Sequence, residues 1–133
     1  MKTLKLLALT VITAFSMAAF AGAEHDHGAP TFQPPKGGIL KSTHSTHFEL
    51  VKGSKGVNIY AYDKDGKGIA TKGLTLTAEL ELPRQKATAV TLTSKETHWE
   101  ANVDAKGAHR YTLKVNIDDG KEKDYVKFTV ENK

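Results

Sequence analysis

Cysteine is absent from the chain. No disulfide can staple the fold, and no thiolate can serve as nucleophile or soft-metal ligand. Methionine is nearly as scarce, and the two that occur are Met1 and Met17. Both fall in a segment expected to be removed on export, which leaves the mature chain without sulfur. Cu(I), which selects sulfur ligands, is excluded on that ground, so any metal site must be built from nitrogen and oxygen. Helical periodicity is missing as well. There is no Gly-x-Ser-x-Gly elbow and no glycine-rich phosphate loop leading into a helix, so enzymatic function is not expected. Nor is there a basic stripe with interleaved aromatics, so nucleic acid is not an expected partner.

The first residues read as a secretory signal peptide. Lys2 and Lys5 precede an apolar run from Leu6 to Phe20, and Ala21-Gly22-Ala23 supplies the small residues of a cleavage site. Cleavage is expected after Ala23, with Ala19-Phe20-Ala21 as an alternative site. A retained anchor is the competing reading, but the run is short for a membrane span. No cysteine follows it, which excludes a lipoprotein anchor. The expected destination is the periplasm, with no membrane span in the mature chain. Only Lys2 and Lys5 among the charged residues leave with residues 1–23. The remainder is the size of one small domain, and its charge is nearly balanced.

Residues 24–38 form a polar leader containing Pro30, Pro34, Pro35, Gly28, Gly37 and Gly38. It has no apolar period and reads as flexible, with Phe32 and Pro34-Pro35 able to dock against the domain in extended form. Ile39-Leu40 is a short possible strand. From His47 onward apolar and polar residues alternate, the mark of half-buried strands. Phe48 and Leu50 point one way, His47 and Glu49 the other. The same alternation recurs at Val57-Ile59-Ala61, from Leu74 through Leu82, at Thr88-Val90-Leu92, Trp99-Ala101-Val103, Tyr111 through Ile117 and Val126 through Val130. Turn residues separate the runs, as at Asp63-Lys64-Asp65-Gly66 and Asp118-Asp119-Gly120. Roughly seven antiparallel strands over residues 39–133 predict an all-β sandwich, with Trp99 as its one large anchor.

Two acidic patterns have bland explanations. Glu79 and Glu81 alternate with core leucines and read as a solvent face. The run beginning at Asp63 has the first half of a calcium loop, but Leu74 stands where an EF-hand needs its bidentate glutamate.

Histidine carries the chemistry that remains, since imidazole is the commonest nitrogen ligand for Zn, Ni, Co and Cu(II). Four of the six histidines lie between residues 25 and 47. Cleavage after Ala23 would create the amino terminus Glu24-His25-Asp26-His27, which reads either as a cluster of amine, imidazoles and carboxylates able to chelate Cu(II) or Ni(II) or as a solvating tail with incidental histidines. His44-Ser45-Thr46-His47 brings two rings together only if it bends, because residues three apart on a strand face opposite sides. Glu49 shares the face of His47. His98 and His109 fall near strand ends.

Pro35-Lys36-Gly37-Gly38-Ile39, the run His44 to His47 with Phe48-Glu49-Leu50-Val51, and Val57-Asn58-Ile59-Tyr60-Ala61-Tyr62-Asp63-Lys64-Asp65-Gly66-Lys67 together resemble a known pattern. The chain is similar to small periplasmic proteins found beside heavy-metal resistance operons. It is also similar to a β-rich domain in the periplasmic adaptors of heavy-metal efflux pumps. The resemblance spans about residues 35–117, with Ala61-Tyr62 replacing the commoner Val-x before the aspartate. It implies an immunoglobulin-like sandwich and a metal-linked function, and it points to His44, His47 and Glu49 as ligands.

The expectation is a monomeric periplasmic protein that binds or buffers a divalent transition metal, Cu(II), Zn, Ni or Co. The expected metal ligands are His25, His27, His44, His47 and Glu49, with the leader folding back over the sandwich edge. A metal-efflux or envelope protein is the expected partner. The alternative is a non-metal interaction module of the cell envelope that docks its partner along an exposed sheet edge.

Overall fold

A computed structural model describes residues 32–133. The signal-peptide reading, the first part of the leader, and the expected ligands His25 and His27 lie outside the described residues.

Among the described residues the alternating runs form nine strands: β1 (Ile39–Ser42), β2 (Thr46–Lys52), β3 (Gly56–Asp63), β4 (Thr75–Glu81), β5 (Thr88–Val90), β6 (Leu92–Ser94), β7 (Trp99–Asn102), β8 (Arg110–Asp118) and β9 (Lys123–Glu131). They build two antiparallel sheets, one ordered β1-β2-β3-β7-β6 and the other β5-β4-β8-β9. Helix among these residues is limited to one 3₁₀ turn, Thr71–Gly73. The Thr71 hydroxyl donates to the Lys95 carbonyl, which fastens this turn to the loop before β7.

The strand count differs from the expected seven for two local reasons. Ile39-Leu40 extends to Ser42 and pairs fully with β2. The run Thr88-Val90-Leu92 breaks at Thr91: Ala78 pairs with Val90 in one sheet, and Leu92 pairs with Ala101 in the other. Alternation reports which side chains face inward, and it continues unbroken when the backbone crosses between sheets.

Inward residues from both sheets form one core. Phe48, Ile59, Leu113, Val115, Phe128 and Val130 have no exposed surface at all. Trp99 belongs to this core but is one large anchor among several, beside Phe48 and Phe128. On one side the Thr91 crossover joins the sheets. On the other, Lys52 Nζ donates to the Glu131 carbonyl oxygen at 2.6 Å, where β1 approaches β9.

Hairpin register decides what shares the outer face of the five-stranded sheet. A turn closed by Gly53 N–H on the Gly56 carbonyl joins β2 to β3. It sets His47 opposite Tyr62 and Glu49 opposite Tyr60. The β1–β2 pairing sets Ser42 opposite His47 and Leu40 opposite Glu49. All of these outward residues lie on the side away from the core.

Candidate functional site

An outward glutamate on a sandwich strand ordinarily meets water. Glu49 does not, and its side chain is fully buried. It is covered by the leader's end, Phe32–Gly38. The Lys36 and Gly38 backbone N–H groups both donate to Glu49 Oε1 at 2.9 Å. The Tyr62 hydroxyl donates to Oε2 at 2.8 Å. All three partners are donors, and a carboxylate has only acceptors to offer them. Hydrogen bonds to a charged group contribute about 1.5–3 kcal/mol each, which offsets the desolvation of the buried oxygens. Tyr62 responds to the same arrangement. Burial first, then its hydrogen bond to Glu49 and that residue's charge, hold the phenol well above the ordinary tyrosine range.

The covering segment is shaped to its seat. Gly37 N–H closes a turn on the Pro34 carbonyl at 3.1 Å. Gly38 must be glycine, because a Cβ there would strike the Leu50 carbonyl oxygen and stand 3.0 Å from Glu49 Cγ. Lys36 sets its ammonium 4.6 Å above the Tyr60 ring, and that ring stacks on His98 at 5.0 Å. At the segment's start, Phe32 lies against three groups. Its ring stacks on His47 at 4.9 Å and 21°, meets Tyr62 at 5.3 Å, and covers Gly66 so closely that a Cβ there would lie 2.7 Å from a ring carbon. Gly66 also has a φ of +84°, so its turn and its contact both require glycine.

His47 is thereby held from two sides. Phe32 covers a ring face, and Nδ1 lies 2.6 Å from Ser42 Oγ. A Nδ1–H donated to that hydroxyl leaves Nε2 as the lone-pair nitrogen, the tautomer that an outer hydrogen-bond partner fixes in imidazole metal ligands.

The expected ligand set is only partly assembled. His44 is exposed in the turn between β1 and β2, which is closed by Thr43 N–H on the Thr46 carbonyl. His47 stands within β2 on the outer face. Glu49 shares that face as expected, and its carboxylate accepts the Lys36 and Gly38 N–H groups and the Tyr62 hydroxyl beneath the leader's end. Among the described residues, no three histidine, aspartate or glutamate side chains are grouped to hold an ion. His98 pairs with Glu100 at 3.2 Å and Thr97 at 3.1 Å. His109 is exposed just before β8. Asp63 caps its own turn, accepting the Asp65 and Lys67 N–H groups at 2.9 Å, so the calcium-like run is a closed turn.

By alternation alone Tyr62 is an ordinary strand residue. Its role depends on register across β2 and β3, and no local motif encodes that. The nearby signal is the Gly37-Gly38 pair, which marks a close backbone approach without saying to what.

Compared with protein-family models, with curated proteins and with solved structures, the chain matches none of them.

Proposed function

We propose that the protein is an exported, periplasmic binder of a divalent transition metal with borderline nitrogen preference, Cu(II), Zn, Ni or Co. In this reading the sandwich is of the immunoglobulin-like class and serves as a rigid mount. His47 Nε2 is the anchored ligand, His25 and His27 on the leader supply further imidazoles, and exposed His44 is the remaining candidate. The observation that carries the reading is the Phe32–His47 stack at 4.9 Å. It seats the leader against an imidazole whose Nδ1 already has the Ser42 hydroxyl as partner, and a Nδ1–H donated there would leave Nε2 for a metal. His27 is five residues before Phe32 in the sequence, so the chain cannot carry it farther than about 18 Å from that anchor. Such tethering raises the local concentration of the second and third donors. The described residues alone do not complete a coordination sphere, and the leader histidines are essential to the proposal. A metal-handling or envelope protein is the proposed partner.

Strand addition along a sheet edge has less support. The edge strands β1, β5 and β6 are three or four residues long. The longer edge strand β9 presents Lys123, Lys127 and Glu131, and short or charged edges blunt strand addition.

Calorimetric titration of residues 24–133 with each metal at about pH 7.5 tests the proposal, because histidine is then largely neutral. One stoichiometric site is expected, weakened at least tenfold by His47→Ala and by the His25→Ala/His27→Ala pair. Protons compete for imidazole, so affinity should fall as the pH drops below about 6. Binding that survives both variants, or that is unchanged down to about pH 5, would reject histidine ligation.

A further inference from the structure

The segment from Phe32 to Gly38 is held to the sheet at its two ends and arches between them through the Pro34–Gly37 turn. One end rests on Glu49, through the Lys36 and Gly38 amides. The other rests on the Phe32 ring, seated against His47, Tyr62 and Gly66. Tyr62 belongs to both attachments, because its hydroxyl binds Glu49 and its ring meets Phe32. This strap adds no strand to the sheet, and its fixed points are few. Segments fastened by a few contacts open locally without unfolding the domain. Two adjacent prolines restrict the freed segment, which lowers the entropy lost when it closes again.

We propose that Glu49 is the latch of this strap. Its carboxylate holds the Lys36–Gly38 backbone down, and through that backbone holds Phe32 on the His47 ring. Opening the latch uncovers the imidazole face and loosens the leader at its root. Glu49 is therefore a positioning residue for His47 and contacts no ligand itself. The latch stands without any metal; only its consequence for affinity rests on the function proposed above. There, linkage requires that a metal bridging the leader and His47 favour the closed strap, and that the closed strap favour the metal by the same factor.

The latch is tested by NMR on the metal-free chain, comparing wild type, Glu49→Gln and Phe32→Ala. The glutamine keeps the side chain's shape but removes its charge. In wild type, the Lys36 and Gly38 amides should be protected from hydrogen exchange. Glu49→Gln should speed both about tenfold or more, while amides in the β4–β8 ladder, such as that of Leu113, stay unchanged. His47 ring protons feel the Phe32 ring current, and in Glu49→Gln they should move toward their positions in Phe32→Ala. A purely structural role for Glu49 would not move them. Gly38→Ala attacks the same contact from the strap's side and should produce the same selective changes, which covers the case in which Glu49→Gln fails to fold.

Free-chain exchange at Lys36 and Gly38 in wild type would overturn the latch. So would His47 signals unmoved in both Glu49→Gln and Gly38→Ala. Titration with Zn(II) then reads the coupling. Affinity at least fivefold weaker in the opened variant is expected, and equal affinity would overturn the coupling. If Zn(II) bound neither protein while the exchange pattern held, the metal reading would fall and the latch would remain.

Discussion

The outer faces of the two sheets are built from the same alternation and end in opposite environments. On the four-stranded sheet, Glu79 stands opposite Lys114, its carboxylate 4.0 Å from the ammonium, with both side chains well exposed. Lys114 also sits 4.9 Å over Tyr125, the one large apolar side chain left exposed among the described residues. That face is solvated, and its pairs are screened and weak. On the five-stranded sheet, Glu49 occupies the equivalent alternating position, yet it is sealed beneath the Phe32–Gly38 segment. Alternation decides which side of a strand a residue takes, whereas a distant segment decides whether that side is wet.

The sharpest way to break the comparison is to remove each glutamate. Glu49→Ala strands the Tyr62 hydroxyl and two strap amides and leaves a void, so urea unfolding should show a loss of about 2–4 kcal/mol. Glu79→Ala should stay within about 0.5 kcal/mol. Equal losses would mean that the strap contributes no more than a surface pair.

A smaller effect is expected from Tyr62→Phe, about 1–2 kcal/mol at neutral pH, because the buried carboxylate loses one donor. Its pH dependence carries a sign. The folded-state phenol is held above its unfolded value of about 10. Its contribution is therefore intact below about pH 10 and is lost as the pH rises toward the folded value. Wild type should lose stability more steeply than Tyr62→Phe above that point. Parallel curves would place the phenol in water. Smallest of all, a double-mutant cycle on Glu79 and Lys114 should return a coupling of about 0.5 kcal/mol or less, further reduced by salt.

Much of the sandwich can be read directly from the chain. Inward residues such as Phe48, Leu113 and Phe128 follow a period of two, and a core has few other ways to be written. The strand switch at Thr91 cannot be read this way, because a crossover leaves the period untouched. The site divides similarly. His47 and Glu49 on one outward face are legible from alternation alone. The strap's seat is not, because it depends on the β2–β3 register that brings Tyr62 beside His47, on an open surface at Gly66, and on Gly38 reaching across to Leu50. Histidine spacing groups His44 with His47 only where the run bends, and the turn closed by Thr43 on Thr46 supplies a bend, with His44 exposed in it and His47 just inside β2.

The meeting of Lys52 with Glu131 has a kinetic side. These residues are 79 positions apart in the chain, and β9 supplies the outer ladder of β8 over nine residue pairs. Hairpins such as β2–β3 can zip as soon as they are made, but the domain cannot close until β9 arrives. Folds dominated by such distant pairings mature in milliseconds to seconds rather than microseconds. Until β9 docks, the half-built sheet stays bare along β8.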